Sequence, residues 1–196
     1  MRVLMIDAGP VPGSSTSVAL DEIRRQLQRE DVECDLVYTG GQQIQSCLFC
    51  GRCKDLGRCV LDDCLNPILE RAARADGYIF ASQSHYGVAS GSLASLIHRF
   101  VTADRTCVGK PAAAVVTCRR SGATSALSEL NSFFAMKSMP IVTSSYWNLL
   151  VGSTPELARQ DLEGLRTMRN LARNMAWLLK SLDAGRQQGI SAPALE

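Results

Sequence analysis

The residues best suited to chemistry in this sequence are four cysteines crowded into residues 47–59, half of the eight that the chain contains. Their spacing is C-x2-C-x2-C-x5-C, and it is formed by Cys47, Cys50, Cys53 and Cys59. Gaps of two residues let successive thiolates wrap around one compact metal centre, and Gly51 and Gly57 permit the backbone turns that this wrapping requires. Because thiols stay reduced in the cytoplasm, such a group in a cytoplasmic protein indicates metal or redox chemistry before disulfides.

The spacing favours a single 4Fe-4S cluster. In the bacterial ferredoxin run C-x2-C-x2-C-x3-C-P, the fourth cysteine binds a second cluster. This chain has no second run and no proline after Cys59, so the longer return suits a fourth ligand of the same cluster. A zinc ion with four thiolate ligands is the nearest competing metal, but a simple CxxC pair would not need the middle cysteine. A loop of free thiols is the third interpretation. Cys34 and Cys64 lie in strand and helix patterns and are expected to be buried thiols instead.

A loop of small polar residues follows the first apolar run of the chain. It contains neither G-x-G-x-x-G nor G-x-x-x-x-G-K-[ST], which argues against a dinucleotide fingerprint and against a P-loop. Its candidate binding residues are Gly9, Ser14, Ser15, Thr16 and Ser17. Their hydroxyls, together with the free N–H groups of a helix that opens near Thr16, can surround a monophosphate without any basic residue. An ordinary helix cap is the alternative, and the position after the first strand favours the phosphate.

Two further loops have similar composition. After the third apolar run come Ser84, His85, Tyr86 and Gly87, and after the fourth come Arg119, Arg120 and Gly122. The two adjacent rings could stack on a flat ligand, whereas the second group offers backbone donors and two guanidinium groups. Each loop by itself is equally consistent with exposed turn residues and solvated arginines. Three such loops at one edge of a sheet favour a planar phosphate ester such as FMN.

Five short apolar runs, each followed by a helical pattern, predict the elements that position these loops. The runs cover residues 3–6, 34–38, 77–81, 112–117 and 140–144. Their alternation predicts an α/β fold with a doubly wound five-stranded parallel sheet in the flavodoxin-like order 2-1-3-4-5. Ligands of such sheets bind at the carboxyl ends of the strands, where all three polar loops fall. The cysteine-rich loop is then an insertion after the second strand.

Composition limits the classes of function. The chain has 196 residues with 46% hydrophobic content, which fits one domain over 1–182 and a loose tail over 183–196. Its net charge is only +2, without a basic stripe, so we expect no nucleic-acid partner. It has neither a signal-like segment nor eighteen consecutive apolar residues, so we expect a cytoplasmic protein that does not enter membranes.

From Arg2 to about Gly152, the chain resembles the NADPH-dependent FMN reductase and iron-sulfur flavoprotein family. The resemblance rests on the glycine- and serine-containing first loop, C-x2-C-G-R-C followed by G-x-C-x2-D-D, and the segments ADGYIF, LASLIHR and SSYWN. It implies a flavodoxin-like fold, bound FMN, and a homodimer or homotetramer. It also implies phosphate contacts from the Ser14–Ser17 segment, isoalloxazine contacts from Ser84 to Gly87, and a compact cluster motif like that of the iron-sulfur members. Near the flavin or a subunit interface it places Tyr146, Trp147 and Asn148.

Two departures from the family pattern affect the expected substrate and nucleotide preference. The first loop usually reads GSPRxxGNT, but this chain has Gly9-Pro10-Val11 and lacks the arginine. The usual Pro-Val-Tyr-Trp of the second loop reads Gln83-Ser84-His85-Tyr86. The sequence thus predicts an FMN-dependent oxidoreductase that takes electrons from NAD(P)H or a ferredoxin-like carrier. A cluster-free flavin or quinone reductase and a non-enzymatic electron shuttle or redox sensor are the alternatives.

Overall fold

Five parallel strands form the centre of the molecule in the computed structural model, which describes residues 1–193. The strands are β1 (Arg2–Ala8), β2 (Glu33–Tyr38), β3 (Gly77–Gln83), β4 (Ala112–Cys118) and β5 (Leu149–Val151). They are hydrogen bonded in the order β2-β1-β3-β4-β5, and every neighbouring pair is parallel. The predicted five-stranded sheet and its strand order are therefore confirmed.

Helices cover both faces of the sheet because the central strands are apolar on both sides. The helices are α1 (Ser15–Arg29), α2 (Cys53–Leu56), α3 (Leu65–Ala72), α4 (Gly91–Ala103), α5 (Ala123–Met136), α6 (Pro155–Ala158) and α7 (Leu162–Gln187). Along β1, Leu4 and Ile6 pack with α3, α4 and α5, whereas Val3 and Met5 pack with α1 and α7. Burial of each such side chain contributes about 1.5–3 kcal/mol, which makes the sheet a firm base for its loops.

The fifth strand lies later in the chain than the sequence pattern predicts. Residues 140–144 do not form it, because Ile141 makes only an isolated parallel bridge to Ala112, at the start of β4. The chain then leaves the sheet and returns as β5, which pairs with the end of β4. The prediction for residues 140–144 was wrong because an apolar run at a sheet edge has the same pattern whether it forms one bridge or a full ladder.

The last helix is longer than the predicted domain boundary implies. The helix α7 continues to Gln187, so the boundary at residue 182 falls inside it. Residues 188–193 follow without helix or strand, and the rest of the predicted tail lies outside the described residues. Within residues 1–193, no helix is both long enough and apolar enough to cross a membrane.

Candidate functional site

The hydroxyl residues predicted to bind phosphate lie together where β1 leads into α1. Three of the four hydroxyls are hydrogen bonded inside the protein: Ser15 Oγ to the carbonyl oxygen of Gly152 (2.9 Å), Thr16 Oγ1 to Thr117 Oγ1 (3.1 Å), and Ser17 Oγ to Asp7 Oδ2 (2.7 Å). These bonds join the first loop to the ends of β4 and β5. They give the loop a fixed shape, and they leave one hydroxyl free.

That free hydroxyl belongs to Ser14, which precedes the first turn of α1. Ser14 is 93% buried (7% exposed), yet its Oγ has no hydrogen-bond partner among the described residues and makes no capping bond. The first N–H groups of a helix also lack partners within the helix, and the helix dipole favours an anion beside them. A Cβ atom at Gly9 would lie 2.3 Å from Ser14 Oγ, so only glycine leaves room for the Ser14 hydroxyl. The residues present therefore fit the phosphate of FMN.

Sequence reasoning missed Asp7, the buried carboxylate at the end of β1. Its Oδ1 accepts a hydrogen bond from the Gly9 N–H (2.9 Å), and its Oδ2 accepts one from Ser17 Oγ. Both bonds hold the loop backbone in place around Ser14. An acidic side chain repels phosphate, so the sequence alone does not indicate a role for Asp7 in a phosphate site. In the structure both Asp7 oxygens accept hydrogen bonds from the loop itself.

The second polar loop is a tight hairpin with an exposed ring at its tip. His85 and Val88 exchange backbone hydrogen bonds (2.8 and 3.1 Å), and Tyr86 and Gly87 form the turn with φ values of 53° and 91°. A positive φ is uncommon for a residue with a side chain, and it costs about 1–3 kcal/mol. The Tyr86 side chain is fully exposed, so the protein gains no packing in return. An exposed aromatic ring in strained backbone is the kind of feature found where a ligand stacks.

The third loop touches the second. Gly122 has a φ of 82° and precedes α5, and a Cβ atom there would lie only 3.0 Å from the Cα atom of Gly87. The backbone N–H of Ser84 also donates to the carbonyl oxygen of Thr117 (2.7 Å). Arg119 and Arg120 are exposed beside them. The structure therefore brings the three predicted loops together at one edge of the sheet.

The three residues that the sequence places near the flavin or a subunit interface lie just before β5, and they differ in exposure. Tyr146 and Trp147 are exposed, and their ring centroids are 4.8 Å apart. Asn148 is buried, and its Nδ2 donates to the carbonyl oxygens of Ala114 (3.1 Å) and Val142 (3.3 Å). The Asn148 amide thus links β4 to the segment that precedes β5, where the chain has left the sheet. The two rings remain available for a ligand or a partner.

All four cysteines of the predicted cluster motif line one apolar cavity. Its wall consists of Cys47, Leu48, Phe49, Cys50, Gly51, Cys53, Cys59, Val60, Leu61, Arg99, Thr102 and Ala103. Gly51 and Gly57 have φ values of 71° and 66°, as the wrapping pattern predicts. In the described part of the chain, no three His, Cys, Asp or Glu side chains are close enough to hold a single metal ion. A 4Fe-4S cluster would take four cysteine thiolates as its ligands, and this cavity presents four.

Sequence reasoning also missed Arg99, because an arginine near the end of a helix pattern is usually solvated. In the structure it is only 1% exposed. It donates to Cys59 Sγ from Nη2 (3.1 Å) and Nε (3.4 Å), and to Asp63 from Nη1 and Nη2. Burial alone would lower the pKa of Arg99, but the hydrogen bonds to Asp63 and Cys59 and the Asp63 charge more than offset this, so the pKa is raised.

Asn66, in α3, holds the backbone of the same cysteine. Its Oδ1 accepts from the Cys59 N–H (2.9 Å), and its Nδ2 donates to the Cys59 carbonyl oxygen (3.1 Å). Cys59 is therefore fixed through both its backbone and its sulfur. The remaining cysteines do not line the cavity, and burial raises the pKa of their thiols, to about 11 for Cys34 and Cys107. Burial also raises the thiol pKa of Cys64 and Cys118.

Comparison with known proteins places this architecture in a family. A family model described as NADPH-dependent FMN reductase matches residues 1–152, which include the three loops and the cysteine segment. The chain belongs to the NADPH-dependent FMN reductase family. Like other members of this family, it is an FMN-binding oxidoreductase, and the predicted resemblance is confirmed.

Two curated relatives match almost the whole chain. An iron-sulfur flavoprotein of Methanocaldococcus jannaschii is 29% identical over 190 residues, covering 92% of this chain and 98% of the relative. An iron-sulfur flavoprotein of Methanosarcina thermophila is 24% identical over 194 residues, covering 96% and 100%. Among solved structures, a flavone reductase matches with a TM-score of 0.72 at 14% identity, covering 93% of this chain and 64% of that one. An archaeal flavodoxin matches with a TM-score of 0.62 at 12% identity, covering 92% of this chain and 99% of the flavodoxin. This chain therefore has a flavodoxin-like fold.

Proposed function

We propose that this protein passes electrons from NAD(P)H or a ferredoxin-like protein carrier through FMN and one 4Fe-4S cluster to a separate acceptor. The observation that carries the proposal is the single apolar cavity lined by Cys47, Cys50, Cys53 and Cys59. The names of the two relatives, both iron-sulfur flavoproteins, support the same assignment. When bound, FMN exchanges electrons as a pair or singly, which makes it a suitable partner for a one-electron cluster.

The sheet edge where the three polar loops meet is called the flavin edge below. There we assign the phosphate of FMN to Ser14 Oγ and to the free N–H groups at the start of α1. The hydrogen bonds of Ser15, Thr16 and Ser17 support this assignment, since they hold those donors in place before any ligand arrives. We assign the planar ring of the ligand to the second and third loops, which touch each other. The residues in this assignment are Ser84, His85, Tyr86, Gly87, Arg119, Arg120 and Gly122.

At the cysteine cavity, we assign one thiolate of the cluster to each of the four cysteines. Leu48, Phe49, Val60 and Leu61 also line this cavity. Leu48, Phe49 and Val60 are exposed, so they give the site an apolar rim that is open to solvent, and the polarity around iron-sulfur centres affects their potential. Asn66 fixes the backbone of the last ligand, Cys59.

We further propose that the protein is a cytoplasmic homodimer or homotetramer. Cytoplasmic thiols stay reduced, which a cluster of this kind requires. Tyr146 and Trp147 support the oligomer, since they present two large, mutually packed rings to solvent in the segment just before the edge strand β5. Sedimentation of the FMN-loaded protein at micromolar concentration tests this part, and a monomer would contradict it.

Anaerobic reconstitution with ferrous iron and sulfide tests the main proposal. We expect FMN, identified by its mass after release, about four irons per chain, and bleaching of both chromophores by NADPH or a reduced ferredoxin. FMN without stoichiometric iron, combined with NADPH turnover, would establish the cluster-free flavin or quinone reductase instead. A loaded protein that neither donor reduces would contradict enzymatic electron transfer and favour a redox sensor.

A further inference from the structure

We propose that Arg99 is the positioning residue of the cluster, and that it fixes the Cys59 thiolate on α4 and raises the reduction potential of the bound cluster. This inference rests on the proposed function, since it concerns the same cysteine cavity. It assigns a role to a buried charge that binding of FMN does not require.

The hydrogen bonds of Arg99 account for every donor that its guanidinium group carries. An arginine side chain has five N–H donors in a fixed planar fork. Nε and Nη2 point to Cys59 Sγ, Nη1 and Nη2 to Asp63, and Nη1 to the carbonyl oxygen of Gln45 (3.2 Å). Because the fork is planar and the Asp63 contact is bidentate, the position of Cys59 Sγ is set by geometry. An ion pair with a purely structural role would need only the contacts between Arg99 and the Asp63 carboxylate, and not the two contacts with Cys59 Sγ.

The charge balance of this group also favours a bound cluster. Burial of a cation is expensive unless an anion pairs with it, and Asp63 supplies that anion. Two of the five donors nevertheless go to sulfur, where they stabilise negative charge. Hydrogen bonds and positive charge at a ligand sulfur make a cluster easier to reduce.

The position of Arg99 in α4 links the two candidate sites. The helix begins at Gly91, four positions after Gly87 of the loop assigned to the flavin ring, and Arg99 lies about 12 Å further along its axis. The same face of α4 contacts the cysteine loop at two other points: Ser95 Oγ lies 2.9 Å from Ser46 Oγ, and Cys53 Sγ lies 3.9 Å from the Thr102 carbonyl oxygen. The loop thus lies along one rigid helix, and Arg99 is its only charged anchor on α4 among the described residues.

The test compares reconstituted wild-type protein with the double variant Arg99→Met/Asp63→Asn. Removal of Arg99 alone would leave Asp63 unpaired, whereas the asparagine keeps the acceptor that Asp63 Oδ1 presents to the Leu65 N–H (3.1 Å). We expect chelators to remove iron about 10- to 100-fold faster from the variant, and the cluster midpoint potential in a redox titration to become more negative. FMN content and the far-UV spectrum should not change. Arg99→Lys, which keeps the charge but not the fork, should be intermediate.

The matched control is Arg71→Met/Asp35→Asn, which removes an exposed ion pair (2.7 Å) away from the cavity and should leave iron loss and potential unchanged. Equal iron retention and equal potential in wild type and the Arg99 double variant would overturn the role of Arg99 while the cluster stands. If the wild type itself takes up no iron, both proposals fall. The two failures are therefore distinguishable.

Discussion

The flavin edge and the cysteine loop are built in different ways. The three loops at the flavin edge each start at the end of a buried strand, so the hydrogen-bonded sheet determines where they lie. The cysteine loop leaves the sheet after β2 and contains only the single turn of α2 before α3 begins. Its position depends on side-chain contacts, chiefly those of Arg99 and Asn66. Single substitutions should therefore disturb the second site more than the first.

The largest effect is expected from removal of one of the proposed cluster ligands. Cys50 is the exposed member of the four, so Cys50→Ala should disturb the fold least while removing one thiolate. We expect stoichiometric iron to be lost, from about four irons per chain to near zero, with FMN content unchanged because the flavin loops lie elsewhere. Iron and flavin analysis after anaerobic reconstitution measures both.

The matched control for this experiment is Cys64→Ala. Cys64 precedes α3, does not line the cavity and has a thiol whose pKa is raised by burial and by the charge of Asp63. It should keep full iron content. Iron loss from Cys64→Ala equal to that from Cys50→Ala would show that the assignment of ligands is wrong.

A smaller but clear effect is expected at the flavin edge from Gly9→Ala. The added methyl group would meet Ser14 Oγ at 2.3 Å, so it must displace the one free hydroxyl of the loop. Overpacking of this kind costs about 1–3 kcal/mol, and we expect FMN affinity to fall about 10- to 100-fold in a fluorescence titration while iron content is unchanged. Gly91→Ala is the control, since a Cβ atom there meets no atom within 4 Å. Equal affinities of the two variants would remove the first loop from the site.

Ser14→Ala should lower FMN affinity by about tenfold or more, because a hydrogen bond to a charged group contributes about 1.5–3 kcal/mol. Apo stability should stay the same, since Ser14 Oγ has no partner among the described residues. Thr16→Ser provides the contrast: it keeps the hydroxyl bonded to Thr117 and should bind FMN normally. Chemical denaturation of the apo forms and flavin titration of both variants check these expectations. Unchanged FMN affinity in Ser14→Ala would contradict the assignment of the phosphate.

The same contrast explains how much the sequence could predict. The sheet, its order and the three loops follow from repeating apolar runs and from small residues at their ends, because a parallel sheet brings every strand end to one edge. The cysteine spacing also predicts which thiols share a cavity. Arg99, Asn66 and Asp7 could not be predicted, because their roles depend on partners 40, 7 and 10 residues away in sequence. Such contacts leave no periodic pattern.

The start of β5 could not be predicted for a different reason. Residues 140–144 have the composition of a strand, but they do not pair along β4. The Asn148 amide instead links this segment to β4, because its Nδ2 donates to the carbonyl oxygens of Val142 and Ala114. Whether an edge segment forms a ladder is decided by such local hydrogen bonds. The sequence pattern shows only that the segment is apolar.

The smallest effect is expected at Tyr86, where one substitution should change the stability of the apo protein and the affinity for FMN in opposite directions. Tyr86 has a φ of 53° and a fully exposed ring, so Tyr86→Gly relieves strain and removes no packing. Glycine also gives more freedom to the unfolded chain, which costs about 0.5–1 kcal/mol, so the apo protein should unfold at an equal or slightly higher denaturant concentration. Loss of the ring should weaken FMN binding by about twofold to tenfold, the range given by about 0.5–1.5 kcal/mol of aromatic stacking. Asp31→Gly is the matched control, because Asp31 has a φ of 59° and lies beyond the end of α1, away from the three loops. It should give a similar change in stability with no change in FMN affinity. If Tyr86→Gly binds FMN as tightly as Asp31→Gly, the exposed ring has no part in the flavin site, and the strain at the hairpin tip needs another explanation.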